Sequence, residues 1–348
     1  MLSSLLRALP NSKTAEPEPE DVFQCSLGLI FTDDLQIQHG DPGTTVIYRS
    51  NGYGDLEFEV ADPQGEEERT KFAHYLWNAG VLMSDLVGGR DNEQDCNRDS
   101  HQVSKEEAWG KRKFEKGEWW LDEEEEKKWN VKGERVLELG AGVCRAASAS
   151  PVTITDYPSP AIIQTLTENV AKNVPTYLNP HVSVKPHKWG ELDTPFALSH
   201  QSYYTRILAA DTLWMSMQHT NLAKSMLHFL SQDQDARIFV IAGFHTGRAR
   251  MAPFFEETVE EEGLEIEDIF EMDANGMRRE WKPAAPEEMS GERKKWLVIA
   301  RLKRKPKGCW SESVQAPDYA PDALQKTTLT FLDRSTLLFF YRSVECSQ

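Results

Sequence analysis

Apolar and polar positions change period twice along the chain. Val46–Ser50 and Asp55–Ala61 are strand-like runs split by the turn "NGYGD", which predicts a hairpin. Glu66–Val87 opens on carboxylates and then places Phe72, Leu76, Ala79 and Met83 three to four residues apart, which predicts a helix. Gly88–Gly133 is polar, and its charge run "DEEEEKKW" (Asp122–Trp129) reads as a solvated loop or helix face. From Arg135 onward apolar runs alternate with amphipathic ones. Arg135–Leu139, Val152–Asp156, Val182–Pro186, Arg206–Asp211 and Arg237–Gly243 read as strands. Pro160–Asn173, Thr220–Ser231 and Ala252–Gly263 read as helices. Leu264–Phe270 and Trp296–Leu302 follow as strands with no convincing helix between them, which suits antiparallel pairing.

This alternation predicts an α/β fold: a doubly wound sheet of seven strands, mostly parallel with an antiparallel last strand, preceded by the hairpin and helix. Residues 1–21, with "NSKTAEPEPED", are expected to be disordered, and 22–308 to form the domain, with a polar insertion at about 88–133. Residues 309–348 form a C-terminal extension whose "TLTFLDRSTLLFFYRS" suggests no particular role.

Charge narrows the partners. Lys and Arg number 39 against 56 Asp and Glu, a net of −17 over 348 residues, which argues against a duplex-binding face or an anionic-membrane face. Five scattered cysteines without a CxxC pair point to a reducing, cytoplasmic setting and to no metal site; Cys144 reads as a small buried residue. The opening "MLSSLLRALP" is a short apolar run without a cleavage pattern, which leaves a weak transit peptide open and disfavours a signal peptide or membrane span.

The chemistry centres on Gly140-Ala141-Gly142, which directly follows a strand. Glycine there permits a tight turn and close approach of a ligand. Glu138 precedes it, and Asp156 and Asp211 end two further strands, so three carboxylates and one glycine turn converge on the carboxyl edge of the sheet, where ligands bind in open α/β folds. Arg145 occupies the place of the third glycine of a dinucleotide fingerprint, which disfavours a dehydrogenase. Each of these residues also has a plain structural reading: Trp77 and Trp189 as core aromatics, Asp156 and Asp211 as helix caps.

"ELGAG" resembles motif I of class I S-adenosylmethionine-dependent methyltransferases. "FAHYLWNAG", "VLELGAG", "TDYPSP", "HKWG", "AADTLW", "QHTNLAKSM" and "VIAGFHTGR" occur in that order, and together they resemble the fungal nicotinamide N-methyltransferase-like family over roughly residues 70–305. The resemblance implies a Rossmann-like methyltransferase sheet with S-adenosylmethionine as cofactor. It implies cofactor contacts at Trp77, Gly140, Ala141, Gly142, Asp156, Trp189 and Ala210, to which the strand-end Glu138 is added. It also implies a protein substrate, the N-terminal amine and adjacent lysine of elongation factor 1-alpha. Asp211 and Trp214 are the catalytic candidates, positioning the acceptor, with His219 and His245 flanking them. Tyr157, Trp214 and Phe244 are candidate walls of a pocket that desolvates the amine. Two alternatives stay open here: a small-molecule, nicotinamide-type N-methyltransferase, and a catalytically impaired binding protein.

The second alternative rests on the short segment after the glycine turn. A strand of five residues spans about 17 Å, and a helix returning along it needs about eleven residues. Val143 to Pro151 supplies nine, and Pro151 bars helix at their end. The expected result is a looser site, with S-adenosylmethionine bound about tenfold (about 1.4 kcal/mol) more weakly than by relatives with a full-length crossover. Parallel calorimetric titrations check this, and equal affinities overturn it.

Overall fold

The computed structural model of the chain describes residues 2, 5–9, 37–40, 44–50, 54–61, 75–89, 120–141, 151–175, 177–178, 181–284 and 293–306. The chain divides into two units, 1–305 and 306–348, and the second lies almost wholly outside the described residues. So do Gly142 and the short segment 143–150. Among the described residues no helix is long and apolar enough to cross a membrane.

The central sheet is built from β6 (Val136–Leu139), β7 (Val152–Asp156), β8 (Val182–Pro186), β9 (Arg206–Ala210), β10 (Arg237–Gly243), β11 (Leu264–Asp273), β12 (Arg278–Glu280) and β13 (Trp296–Arg304). Their order is β12-β11-β13-β10-β9-β6-β7-β8. β10, β9, β6, β7 and β8 are mutually parallel, and β13 runs antiparallel between β10 and β11. Among the described residues the sheet has eight strands where the pattern suggested seven. The extra one, β12, is a three-residue edge strand paired to β11, too short and too charged ("RRE") to stand out as an apolar run.

The pleat divides the core in two. Along β10, Phe239 and Ile241 join one apolar cluster while Ile238, Val240 and Ala242 join the other. A strand buried on both faces has a continuous apolar sequence, which is why "RIFVIAG" was legible. The first face is covered by α1 (Asn78–Gly88), α2 (Glu123–Trp129) and α3 (Pro160–Asn173), and the second by α5 (His219–Phe229), with the short α4 (Pro195–Ser199) contributing Ala197. α6 (Arg248–Pro253) runs through a π turn at Phe254–Thr258 into α7 (Val259–Glu261), also on the second face. In α2 the acidic side is solvent-facing and a capping box at Asp122 and Glu125 starts the helix, whereas Trp129 turns inward onto Phe239 at 4.5 Å between ring centroids.

Ahead of the sheet, β3 (Thr45–Ser50) and β4 (Gly54–Glu59) form the expected hairpin, and β1 (Leu6–Leu9) adds to it antiparallel. The reading of 1–21 as disordered therefore does not hold for residues 6–9, because Leu2 and Leu5 are fully buried and draw this stretch onto the hairpin. The exposed edge of β4 is held by two side chains of α3. Asn169 accepts from Glu59 N at 2.8 Å and donates to Glu59 O at 2.9 Å. Asn173 does the same to Glu57, at 3.0 and 2.6 Å. These amides replace a neighbouring strand and satisfy backbone groups that an edge leaves open. Within the span Glu66–Val87 expected to be helical, the helix among the described residues runs from Asn78. Leu76–Trp77 is a short strand, β5, paired with β2 (Gln38–His39), because long-range pairing overrides the local period there. Residues 66–74 lie outside the described set.

Burial depresses the basicity of three histidines. His39, His187 and His219 all sit below the usual 6.5, mainly through desolvation, and His187 is pushed down to about 4. A folded-state value below the unfolded one means that the unfolded chain binds more protons once pH falls below 6.5, so stability is lost as pH falls from there toward 4. For His187 alone the loss between pH 7 and pH 5 is about 2 kcal/mol. Chemical denaturation at the two pH values should show it, and a folded His187→Gln variant should show a smaller drop. An unchanged pH dependence in that variant would contradict the assignment.

Candidate active site

Strand order reverses at β6: the chain goes from β6 to β7 on one side and later to β9 on the other. The carboxyl ends flanking that switch point form the crevice where an open α/β sheet takes its ligand. Gly140 lies there with φ of 72°, in the left-handed region. Gly140 N and Ala141 N both donate to Thr155 O at 3.0 Å, and the Thr155 hydroxyl donates back to Glu138 O at 2.5 Å. The turn after β6 is thereby hooked onto the end of β7, which brings buried Glu138, Ala141 and Asp156 to one place.

Trp189 closes over this turn. A Cβ at Gly140 would stand 3.0 Å from Trp189 Cζ2 and 3.0 Å from Thr212 Cγ2. The tryptophan is set by the "HKWG" turn. His187 N donates to Asp156 O at 2.9 Å, and Ser225 Oγ on α5 meets both His187 Nε2 (3.0 Å) and Gly190 N (2.9 Å). Asp156 is 6% exposed, and its carboxylate accepts from Tyr157 N at 2.6 Å. The hydroxyls of Ser159 and Thr212 are buried here and take no hydrogen bond among the described residues. A bare glycine cradle, an aromatic cover, a strand-end carboxylate and two unsatisfied hydroxyls fit a ligand with a nucleoside part, as S-adenosylmethionine has.

A second group adjoins the first through Thr212. Asp211 directly follows β9 with φ of 56°, one of two non-glycine residues in that region among those described. Its N–H donates to Ile241 O at 2.7 Å, and its Oδ1 receives Gly243 N at 3.2 Å and faces His245 Nε2 at 3.2 Å. The His245 ring stacks on Trp77 with centroids 4.6 Å apart and planes 24° apart. Trp77 is held in turn by its pairing with Gln38, and the next residue, Asn78, meets His39 Nε2 at 2.7 Å. Trp214 is half-buried just beyond, and Met217 in the following turn is 76% exposed.

Trp77, Asp211, Trp214 and His245 thus lie beside β9 and β10, whereas Gly140, Ala141, Asp156 and Trp189 lie beside β6 and β7, with Glu138 and the half-buried Ala210 between them at the ends of β6 and β9. One sequence-based expectation, Phe244 as a pocket wall, is corrected. Phe244 is fully buried, with the Arg248 guanidinium 4.1 Å over its ring and Trp281 stacked at 6.1 Å, so it is core and not a pocket wall. His219 is also buried. Its Nε2 meets Leu213 O at 3.0 Å and its ring packs on Phe254, so it braces the loop after β9. The pairing of His245 with Asp211 was not read from the sequence. The available signal was position: both residues follow the ends of adjacent parallel strands, where Ala210 is in register with Ile241.

Residues 64–261 match the model of a family described as lysine methyltransferase. The chain is similar to the protein N-terminal and lysine N-methyltransferase efm7 of Schizosaccharomyces pombe, 26% identical over 251 residues, covering 67% of this chain and 83% of that protein. It is similar to the corresponding protein of Gibberella zeae, 28% identical over 219 residues, 57% of this chain and 68% of that one. It also resembles the protein N-lysine methyltransferase METTL21A of Danio rerio, 37% identical over 110 residues, 30% of this chain and 48% of that one.

Gly140→Ala tests the cradle. The left-handed backbone costs a non-glycine residue about 1–2 kcal/mol, and the new methyl presses on Trp189 and Thr212 besides. Calorimetry should show S-adenosylmethionine affinity reduced about tenfold or more while circular dichroism stays native. Unchanged affinity would remove Gly140 from the site.

Proposed function

This chain belongs to the lysine methyltransferase family, and we propose that it methylates the N-terminal amine and the adjacent lysine of an elongation factor 1-alpha-like protein. It is an S-adenosylmethionine-dependent protein N-methyltransferase. The relatives' names favour a protein over a small-molecule acceptor, and a working enzyme over a non-catalytic one. The N-terminal and lysine acceptor pair is taken from the names of the fungal relatives, and the elongation factor from the motif set between Phe72 and Arg248.

The observation that carries the mechanism is the contact of Thr212 with the Gly140 cradle, because it sets the Asp211 carboxylate one residue away from the cofactor side. In this reading Gly140 and Ala141 pass the cofactor's methionine end and Asp156 takes the ribose hydroxyls through charge-assisted hydrogen bonds. Trp189 covers the cradle, and Trp77, Glu138 and Ala210 complete the contacts. S-adenosylmethionine, when bound, supplies a sulfonium methyl that is already electrophilic. The protein's task is then to present a neutral amine in line and to exclude water. A lysine, at about 10.4 when unperturbed, needs desolvation to lose its proton, while an α-amine at about 7.7–8.0 needs less. Trp77 and Trp214 provide the apolar surface, and Asp211 accepts a hydrogen bond from the amine. Exposed Met217 beside Trp214 offers a foothold for a polypeptide.

Transfer from isotopically labelled S-adenosylmethionine into a fractionated lysate tests the reading. Label should appear in one protein, on its N-terminal amine and a neighbouring lysine by mass spectrometry. Label in the small-molecule fraction overturns it. In the same preparation, Asp156→Ala should weaken cofactor binding by about 1.5–3 kcal/mol, and an unchanged affinity in the folded variant refutes the ribose role.

A further inference from the structure

The conformation of Asp211 is unusual and fully accounted for. Its left-handed backbone turns the carboxylate back toward β10 instead of along the strand. There Oδ1 meets two nitrogens, Gly243 N and His245 Nε2, each at 3.2 Å. The side chain is 7% exposed, and Oδ2 has no hydrogen bond or ion pair among the described residues. One oxygen is therefore tied and the other is open.

His245 is itself tightly placed. One face of the ring lies on Trp77. Its edge lies so close to Gly243 that a Cβ there would be 2.9 Å from Nδ1. Trp77 is anchored by Gln38 across the β2–β5 pair. A continuous line of contacts thus runs from residues 38–39 through Trp77 and His245 to the Asp211 carboxylate. A plain packing role for His245 would need the ring but not the nitrogen facing Asp211.

We propose that His245 is a positioning residue for methyl transfer: its ring, stacked on Trp77 with Nε2 3.2 Å from Oδ1 of Asp211, works with the Gly243 N–H to hold that oxygen and so aims Oδ2 at the acceptor amine. This rests on the reading of Asp211 as the acceptor-facing carboxylate. With the Gly243 N–H and the His245 nitrogen both against Oδ1, the carboxylate is restrained about its Cβ–Cγ bond. An amine that donates one N–H to Oδ2 then has its lone pair held in a fixed direction, which is where orientation contributes most to a displacement. With the Gly243 donor alone, at 3.2 Å, the carboxylate is free to swing.

The experiment compares His245→Gln, His245→Asn and His245→Phe by kcat, acceptor KM and S-adenosylmethionine Kd. Gln carries its amide donor about as far from the backbone as Nε2. Asn falls one methylene short, and Phe keeps the stack on Trp77 but has no donor. The expected result is kcat lowered about 100-fold in Asn and Phe and about fivefold in Gln, with cofactor Kd within about threefold of wild type throughout. The Gln and Asn pair decides the matter even if Phe does not fold, since both lack the ring and differ only in reach. Equal kcat in Gln and Asn overturns the proposal, as does a Phe variant with wild-type kcat. A wild-type protein that transfers no methyl to any amine overturns both this proposal and the function it rests on, whereas an active wild type with an equally active Phe variant overturns this proposal alone.

Discussion

The site depends on one close approach, that of Trp189 and Thr212 to the bare α-carbon of Gly140. No side chain fits between them. Three structural elements meet at that point: the turn after β6, the "HKWG" turn after β8 and the loop after β9. Each is fastened independently, through Thr155 O, Ser225 Oγ and Ile241 O respectively. The contact brings the proposed cofactor cradle and the carboxylate proposed to face the acceptor within one residue of each other. Its physical basis is close packing, which leaves no slack for a methyl group.

The rest of the molecule supports this arrangement at increasing distance. The two apolar clusters on either face of the sheet hold the strand ends in register. The hairpin is tied to α3 by the paired amides of Asn169 and Asn173, and α1 is tied to the hairpin by the buried Asp85, which accepts from Tyr48 and from Trp120. α1 begins immediately after Trp77, so the N-terminal elements determine where that ring can stand. On the far side, the Arg248 guanidinium is buried against Glu271 and over Phe244, which fixes the chain just past His245. A buried pair of this kind costs desolvation and gives orientation in return.

Much of this was legible in the sequence. Four elements, Val152–Asp156, Pro160–Asn173, Val182–Pro186 and Arg237–Gly243, have the boundaries expected from period and turn chemistry. Two are strands buried on both faces, one is a half-buried edge strand with a β-branched apolar run, and one is a helix opened by proline, and local signals decide such elements. Gly140, Ala141, Asp156 and Asp211 stood out as candidates because they lie at the carboxyl ends of strands. Leu76–Trp77, β1 and β12 were misread or missed, since each exists only through pairing with a partner strand distant in sequence or too short to show a period.

What the sequence determined by itself is therefore the alternating sheet, the edge proposed for the ligand, and, through motifs ordered from Phe72 to Arg248, the resemblance to methyltransferases of protein lysine and N-terminal amines. What only the tertiary structure decided is which side chains face each other across that edge. Neither Asp211 nor His245 carries a local mark of its partner. Their meeting depends on β9 and β10 being neighbours in register, on a left-handed backbone at Asp211, and on a tryptophan that residues 38 and 39 hold in place from far away in the chain. Local propensity acts over a few residues, whereas a contact between strand ends is set by packing of the whole sheet.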